Sequence, residues 1–453
     1  MKARLDSQVD QLYYSMSCGS THGEVFQLSW QEVYQNIEQL YLDIARGKVN
    51  AEELNEDFVN SYVNRLSKAF QSSVKSNFTT PSYGEPNYEF IRQVRTNLFQ
   101  FAGAKTYREL KALNNLFMKK GKVVPFSEFQ RNVELYRSKV QGVQEIYRKS
   151  WLQAEYNHAI RTAQSAERWQ EAEELRDIYP NLQYLATMDT RVRDEHRKLH
   201  KVIRPIDDPF WDKFTPPNGW NCRCRVESTR QQPTTGAPEI KTPVMFQNNP
   251  AKTGVVFPEK HPFYPKQKDL RERVNARSDE FALSIYKDQQ RKVYNGYSDS
   301  LDYTRERFDS STGGYLIRHR NSGKLSAVER SMIDELVAQG DGVIVKARTE
   351  DPFTSNPDIQ IRGTSFEMKD SVGSATSIRD RIVKASSQGK FVVIRVPNTS
   401  NLENGIQMAV NKIDDSNSLS GVLVLSGGKR FMIDRQHLYR EGGVKEMIKK
   451  QSS

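Results

Sequence analysis

Between Asp358 and Lys369 the sequence alternates apolar and polar residues on both sides of a glycine, a pattern that leaves the local fold little freedom. Two alternating runs around a glycine signal a hairpin. With Gly363-Thr364 as the two-residue loop, glycine comes first, as a type II′ turn prefers. That loop pairs Arg362 with Ser365, Ile361 with Phe366, Gln360 with Glu367, Ile359 with Met368, and Asp358 with Lys369. Directly opposed residues share a face, and neighbours along a strand alternate faces. One face then carries Ile359, Ile361, Phe366 and Met368, a core surface. The other carries Asp358, Gln360, Glu367 and Lys369, which is two carboxylates and an ammonium within side-chain reach.

These residue types suit phosphodiester chemistry. Mg²⁺ takes oxygen ligands, commonly one or two carboxylates together with waters and substrate phosphate. Asp358 and Glu367 would supply such oxygens. Lys369 would stabilise charge on a phosphate or hold an attacking water. An exposed hairpin face with a surface ion pair has the same composition, so the flanking sequence has to decide. Upstream, Leu325, Val328, Met332, Ile333, Leu336 and Val337 keep a helical period that Gly340 stops, and Glu329 on the edge of that stripe is a further acidic candidate. Val343-Ile344-Val345 reads as a buried strand. The remainder predicts a helix over 374–387 carrying Arg379, Arg381 and Lys384, a strand over 391–396, a helix over 402–413, and strands over 421–425 and 430–434. The order is helix, three strands, helix, strand, helix, two strands.

With that order and Glu329, Pro357-Asp358 and Glu367-Met368-Lys369 in place, the segment 320–440 resembles the PD-(D/E)XK, restriction-endonuclease-like nucleases. It looks most like the C-terminal toxin domains of contact-dependent growth inhibition systems, many of which cut tRNA. The resemblance implies an α/β nuclease domain in which Asp358 and Glu367 hold Mg²⁺, with Lys369 and Glu329 as the other catalytic residues. A competing resemblance, to the metal-independent barnase/colicin-like ribonucleases, needs no carboxylate pair and would turn instead to Thr376, Arg435 or His437.

A second informative region lies mid-chain. Asp189-Thr190-Arg191-Val192-Arg193-Asp194-Glu195-His196 is followed by Asp207-Asp208-Pro209-Phe210-Trp211, then by Pro216-Pro217-Asn218-Gly219-Trp220-Asn221-Cys222-Arg223-Cys224-Arg225-Val226. Together with Trp151 to Asn157, Phe246-Gln247-Asn248-Asn249 and His261-Pro262-Phe263, this run closely resembles the phage Mu F-like minor head proteins over about 90–265. The resemblance implies a low-copy head protein that meets portal and capsid or scaffold proteins during assembly and travels in the particle. The residues also carry their own chemistry. Cys222 and Cys224 share a face on a strand, and with His196 they form three ligands suited to Zn²⁺ that His200, His261 or Asp189 would complete. Small buried cysteines and a hydrogen-bonded core histidine fit the same pattern. Arg191, Arg193, Arg223 and Arg225 are expected to pair internally with Asp194, Asp207 and Asp208 rather than with DNA phosphate.

Length predicts several units, since 453 residues exceed one ordinary core. The fold class expected is α+β multidomain. Helix-rich residues 1–175 (helices over 30–45, 58–73, 89–101, 104–118 and 127–172) lead to an irregular Pro- and Cys-containing core over 176–265. A helical and flexible linker over 266–316 follows, with Ser310-Ser311-Thr312-Gly313-Gly314 as the junction, and the nuclease-like domain occupies 317–453. The net charge is +11, of which residues 321–453 carry +3. The excess toward the N-terminal side weakly favours contact there with nucleic acid or acidic partners. Three cysteines, with Cys18 far from the others, exclude a disulfide framework. The first residues lack an apolar signal core and no run has the length of a transmembrane helix. These readings predict a phage or prophage head protein in the bacterial cytoplasm and the virion or procapsid. Its nuclease cargo would act on tRNA or DNA, would be delivered into target cells, and would have an immunity protein as a further partner. A purely structural head protein with a non-catalytic tail domain is the rival expectation.

Overall fold

The computed structural model describes residues 88–119, 122–125 and 144–452 apart from 237, 239, 241, 299, 349–357 and 415–417, together with residues 59, 63, 83, 127, 128 and 131. The helix expected over 30–45, all but residues 59 and 63 of the one over 58–73, most of 127–143 in the one over 127–172, Cys18 and Pro357 lie outside the described residues. The chain divides into two compact units. One comprises Met1–Phe78 with Phe90–Phe281, the other Thr79–Glu89 with Ala282–Ser453.

The first unit is built on two long helices, α1 (Tyr88–Phe117) and α2 (Gln144–Glu174). The two helices expected over 89–101 and 104–118 are one, since Gly103 is tolerated within α1 at a cost of only about 1 kcal/mol. Buried Ala159, Ala163, Ala166 and Ala172 give α2 a small-residue stripe that lets neighbouring backbone approach closely. A buried ion pair joins the helices: Lys105 Nζ donates to Glu155 Oε2 at 2.6 Å and to Oε1 at 2.9 Å. The two-residue strands β1 (Met118–Lys119) and β2 (Lys122–Val123) form a hairpin after α1. A three-stranded antiparallel sheet of order β4-β3-β5 follows α2, made of β3 (Asn181–Leu185), β4 (Ile203–Pro205) and β5 (Arg225–Thr229), with the short helix α3 (Asp194–Leu199) between β3 and β4. Its core packs Trp169 of α2 against Leu182, Tyr184, Leu199, Trp211 and Val226. Asn97 of α1 accepts from the Val256 and Phe257 N–H groups at 2.9 and 2.8 Å and donates to the Phe257 carbonyl, so one side chain fastens a strand-free loop to the helix.

The boundary between the units falls inside α4 (Lys268–Asn295). The second unit carries an eight-stranded mixed sheet in which every strand lies beside its neighbour in sequence. The strands are β6 (Tyr303–Phe308), β7 (Tyr315–His319), β8 (Gly342–Val345), β9 (Ile359–Ile361), β10 (Thr364–Asp370), β11 (Phe391–Arg395), β12 (Gly421–Ser426) and β13 (Lys429–Asp434). The pairs β7–β8, β10–β11 and β11–β12 are parallel and the others antiparallel. Helix α5 (Ala327–Ala338) connects β7 to β8. Helices α6 (Ala375–Ser386) and α7 (Leu402–Val410) lead into β11 and β12, as the crossovers between parallel strands require. Helices α8 (Arg435–Tyr439) and α9 (Gly443–Ser452) close the unit. Helix α5 buries Met332, Ile333, Leu336 and Val337 on one sheet face with Ile359, Ile361, Phe366 and Met368. Helices α6, α7 and α9 cover Val392, Ile394, Val422 and Val424 on the other.

From α5 to β13 the observed order is the expected one. Two expectations need correcting. Ser310 to Gly314 is no flexible junction: it is the turn that joins β6 to β7, where Phe308 pairs with Tyr315. The position 316/317 therefore falls inside β7, and the unit begins upstream of it. The hairpin register is also different. Ile361 pairs with Thr364, Gln360 with Ser365 and Ile359 with Phe366, so the loop is Arg362-Gly363. Both loop residues have positive φ, 48° and 80°, which makes the turn type I′.

Candidate functional site

The corrected register differs from the expected one by two residues on the partner strand, an even number, so the same side chains still share a face. Ladder pairs trace that face across the sheet, from Ile317 with Ile344 through Ile344 with Gln360 and Gln360 with Ser365 to Glu367 with Val392. Ile317 and Ile344 lie under the tyrosines of α4 and β6 at one end. Val392 and Ile394 lie under α6 and α7 at the other. Between these apolar ends the face is polar, with Lys346, Asp358, Gln360, Ser365, Glu367 and Lys369.

Asp358, Glu367 and Lys369 meet there. Lys369 Nζ lies 2.5 Å from Glu367 Oε1. Asp358 Oδ2 accepts from the Met368 backbone N–H at 2.9 Å. The expected pairing of Asp358 with Lys369 is replaced by this contact, which sets the two carboxylates on either side of one rung. Glu367 is only 3% exposed, and its Oε2 has no hydrogen-bond partner. Burial raises the pKa of both carboxyls. The Met368 N–H and the Lys369 charge oppose the rise at Asp358, the Lys369 hydrogen bond opposes it at Glu367, and the Asp358 charge adds to it at Glu367. Glu329 is close enough for its charge to raise both further, but its carboxylate is committed elsewhere. It accepts from the Ser326 N–H at 2.6 Å in a capping box at the start of α5 and faces Arg348 at 3.7 Å. Glu329 therefore acts on the pair through its field, and its expected part as a ligand is not what its contacts favour.

Sequence reasoning missed Lys346, whose Nζ donates to Ser365 Oγ at 3.2 Å. Its signal was present, since Lys346 stands two residues beyond Ile344 and so continues the same face. The metal-independent candidates stay apart. Thr376 Oγ1 lies 3.3 Å from Ser374 Oγ, Arg435 donates to Ser418 and Leu419, and His437 Nδ1 lies 2.8 Å from Asp434 Oδ1.

In the first unit His196, Cys222 and Cys224 do come together, and among the described residues they are the one group of three such side chains with donor atoms within 4.8 Å of one another. His196 lies on α3, Cys222 in the loop after the Gly219 turn, and Cys224 just ahead of β5. His196 Nδ1 is 3.7 Å from Cys222 Sγ and 3.4 Å from Cys224 Sγ. The sulfurs are free thiols. Cys224 and His196 beside it hold Cys222 below the ordinary thiol range, while Cys222 and burial push Cys224 up.

None of the three further ligands expected for this group joins it. His200 Nδ1 accepts from the Ala186 N–H at 3.2 Å, and Asp189 is held by Arg223 through two bonds of 2.7 and 2.8 Å that keep its carboxyl at about 2. His261 packs among Phe101, Trp220 and Phe263. Three of the mid-chain arginines bond internally, though not to the partners expected. Arg223 takes Asp189, Arg225 takes Glu227, and Arg193 donates to the Trp220 carbonyl at 2.8 Å. Asp207 and Asp208 pair instead with Arg176 and Arg204, and Asp194 with Arg197.

Comparison with known proteins bears on this second group. Residues 125–227, which contain His196, Cys222 and Cys224, match the family described as Phage Mu protein F like protein. That segment is Mu F-like. The chain is 49% identical over 73 residues to the "Putative capsid assembly protein F" of Escherichia phage Mu, covering 16% of this chain and 17% of that protein. It is 45% identical over 67 residues to the "Mu-like prophage FluMu F protein" of Haemophilus influenzae, covering 15% of this chain and 16% of that protein. The chain thus spans about one sixth of the length of these curated relatives. No solved structure matches it. The Mu F-like segment stops well short of the carboxylate pair, and among the described residues no helix is long and apolar enough to cross a membrane.

Proposed function

We propose that this is a phage head-morphogenesis protein whose C-terminal unit is a metal-dependent phosphodiesterase of restriction-endonuclease-like type. The Mu F-like segment, with relatives named for capsid assembly, supports the first part. Portal and capsid or scaffold proteins are then its partners, and the procapsid or virion its place. The observation that carries the second part is the buried Glu367 carboxylate with one oxygen on Lys369 and the other on nothing. A buried acceptor without a partner costs roughly 1–3 kcal/mol, more when charged, which a binding role at that oxygen explains.

The donor set fits a hard divalent cation. Asp358 keeps Oδ1 available while Oδ2 holds the Met368 N–H, Glu367 offers Oε2, and both are oxygen donors of the kind Mg²⁺ prefers. Held by these two residues, Mg²⁺ would supply Lewis-acid neutralisation of phosphate charge. The side chains do the rest. Lys369, fixed by Glu367, keeps two further N–H donors for a phosphate oxygen or an attacking water. Lys346 adds a second ammonium across the same face, so a polyanion meets two cations beside two carboxylates that burial makes reluctant to ionise. The likeness of the segment to tRNA-cutting toxin domains makes tRNA the substrate to try first, with DNA next. On this reading the unit is cargo delivered into target cells, and an immunity protein is its natural antagonist.

The test is cleavage of total tRNA and of plasmid DNA by the full-length protein, with Mg²⁺ and then with excess EDTA. Cleavage that EDTA abolishes, and that Glu367→Ala and Lys369→Ala each reduce to background, is expected. Cleavage indifferent to EDTA would move the chemistry to the metal-independent ribonucleases. No cleavage under either condition would leave a structural head protein with a non-catalytic second unit.

A further inference from the structure

In the Mu F-like segment one ring nitrogen faces two sulfurs. His196 Nδ1 has either one N–H or one lone pair, so it makes one good hydrogen bond, yet it stands 3.4 Å from Cys224 Sγ and 3.7 Å from Cys222 Sγ. The nitrogen and the two sulfurs thus crowd about a common centre. Zinc bound by thiolate at about 2.3 Å and imidazole at about 2.0–2.1 Å in a tetrahedron would set each sulfur about 3.6 Å from the nitrogen. The two observed separations straddle that edge. His196 is 4% exposed and Cys222 3%, so the centre is dry and a thiolate there needs a cation.

The surrounding shell is built to hold the ligands still. The loop that carries the cysteines is tied on several sides. Arg193 donates to the Trp220 carbonyl at 2.8 Å, Asn157 Nδ2 donates to Asn221 Oδ1 at 2.9 Å, and Thr187 Oγ1 donates to the Arg223 carbonyl at 3.0 Å. Arg223 itself points away, clamped to Asp189. Such outer contacts orient ligands before the ion arrives.

We infer that His196 Nδ1, Cys222 Sγ and Cys224 Sγ form a zinc site that clamps α3 to the loop leading into β5. Three protein ligands leave one position for a water, which the Tyr184 hydroxyl would hydrogen-bond. That hydroxyl is within reach of both sulfurs and donates to Asn218 Oδ1 at 3.1 Å. Borderline-soft Zn²⁺ fits a Cys₂His set, whereas Mg²⁺ does not, so this site and the carboxylate pair take different metals.

The test begins with the metal content of the full-length protein, purified under reducing conditions and measured by plasma mass spectrometry. About one zinc per chain is expected. Asp358→Asn should keep it, while Cys224→Ser and His196→Gln should lose most of it. Those two variants can fail by misfolding, so the wild-type protein is also stripped and titrated with Co²⁺. Tetrahedral visible bands together with a near-ultraviolet sulfur-to-cobalt band, both bleached by one equivalent of Zn²⁺, are expected, and the carboxylate pair cannot produce the sulfur band. A protein that carries no zinc, takes up neither ion and gives no sulfur band would overturn the site, as would a mass two hydrogens short that places a Cys222–Cys224 disulfide in the native chain.

Discussion

Lys369 Nζ lies 2.5 Å from Glu367 Oε1, two residues away on the same strand and on the same sheet face. The contact eases ionisation of a carboxyl that burial otherwise raises, and the neighbouring Asp358 works against it. A carboxylate must be ionised to hold a cation, so the lysine sets the pH at which the pair becomes competent.

Lys369→Met should therefore move Mg²⁺ binding to higher pH as well as remove cleavage. Titration of the full-length variant with Mg²⁺ by calorimetry should show a larger loss of affinity at pH 6 than at pH 8. An equal loss at both would mean that Lys369 does not control Glu367.

Asp358→Asn should stabilise the second unit while abolishing cleavage. Asparagine keeps an acceptor for the Met368 N–H but carries no charge into a site where burial penalises it. A carboxyl whose folded pKa is raised favours the fold below its unfolded pKa, and that contribution is lost as pH rises through the folded value. The gain from Asn should thus be present at pH 7 and vanish near pH 3. All five tryptophans belong to the first unit, so the relevant transition is the one seen by circular dichroism and not by tryptophan fluorescence. A lower midpoint at pH 7 would contradict the argument.

Much of this site was legible because its information is local. Ser326 and Ser374 cap α5 and α6, Gly340 at φ 90° ends α5, and short apolar runs between turn residues became β8, β11 and β12. The register of the hairpin was not local. Glycine-first chemistry favours Gly363-Thr364, yet the chain places Arg362 at φ 48° because its guanidinium reaches Asp341 and Tyr286. The error was even, so the face survived it. A one-residue slip would have exchanged the core for the carboxylates. Strand β6 left no signal at all: Tyr303–Phe308 is an edge strand with a mostly exposed, polar sequence, and without it Ser310 to Gly314 reads as a linker. His196 met the cysteines through β3–β5 pairing over a span that no spacing rule covers.

The first unit should weaken in mild acid. His158 Nε2 lies 3.1 Å from the Val256 carbonyl and must donate to it, which leaves Nδ1 buried beside Trp220 and Phe246 with no partner. Burial holds its pKa at about 4, and burial with the Lys105 charge holds His261 well below its usual value. Between about pH 6.5 and 4 the unfolded chain binds protons that the folded chain refuses, so stability is full above that window and is lost as pH falls through it. His158 alone accounts for a loss on the order of 3 kcal/mol. Urea unfolding followed by tryptophan fluorescence should show the slope, and His158→Gln should flatten it. An unchanged slope in that variant would assign the acid sensitivity elsewhere.

Removing Asp341, which belongs to neither candidate metal site, should destabilise the second unit. Its side chain is fully buried at the end of α5, where Arg362 Nε reaches Oδ1 at 3.2 Å and Arg430 Nε reaches Oδ2 at 2.8 Å, with the Tyr83 hydroxyl donating to both oxygens. Two guanidiniums thus share one carboxylate, and burial alone would disfavour the charge on Arg430 that Asp341 restores. Deleting one partner of such a group leaves cations without compensation and costs about 3–5 kcal/mol. Asp341→Ala should lower the fluorescence-silent transition by that amount, whereas Asp341→Asn, which keeps acceptors but not charge, should fall between. The arginines also explain the tight loop of the hairpin. With Asp341 gone, Arg362 loses its reason to hold φ 48°, and β9 loses the pin that fixes its register under Asp358. Cleavage should therefore fall in Asp341→Ala even at temperatures where the unit remains folded. Full activity in a destabilised but folded variant would show that the register stands without this network.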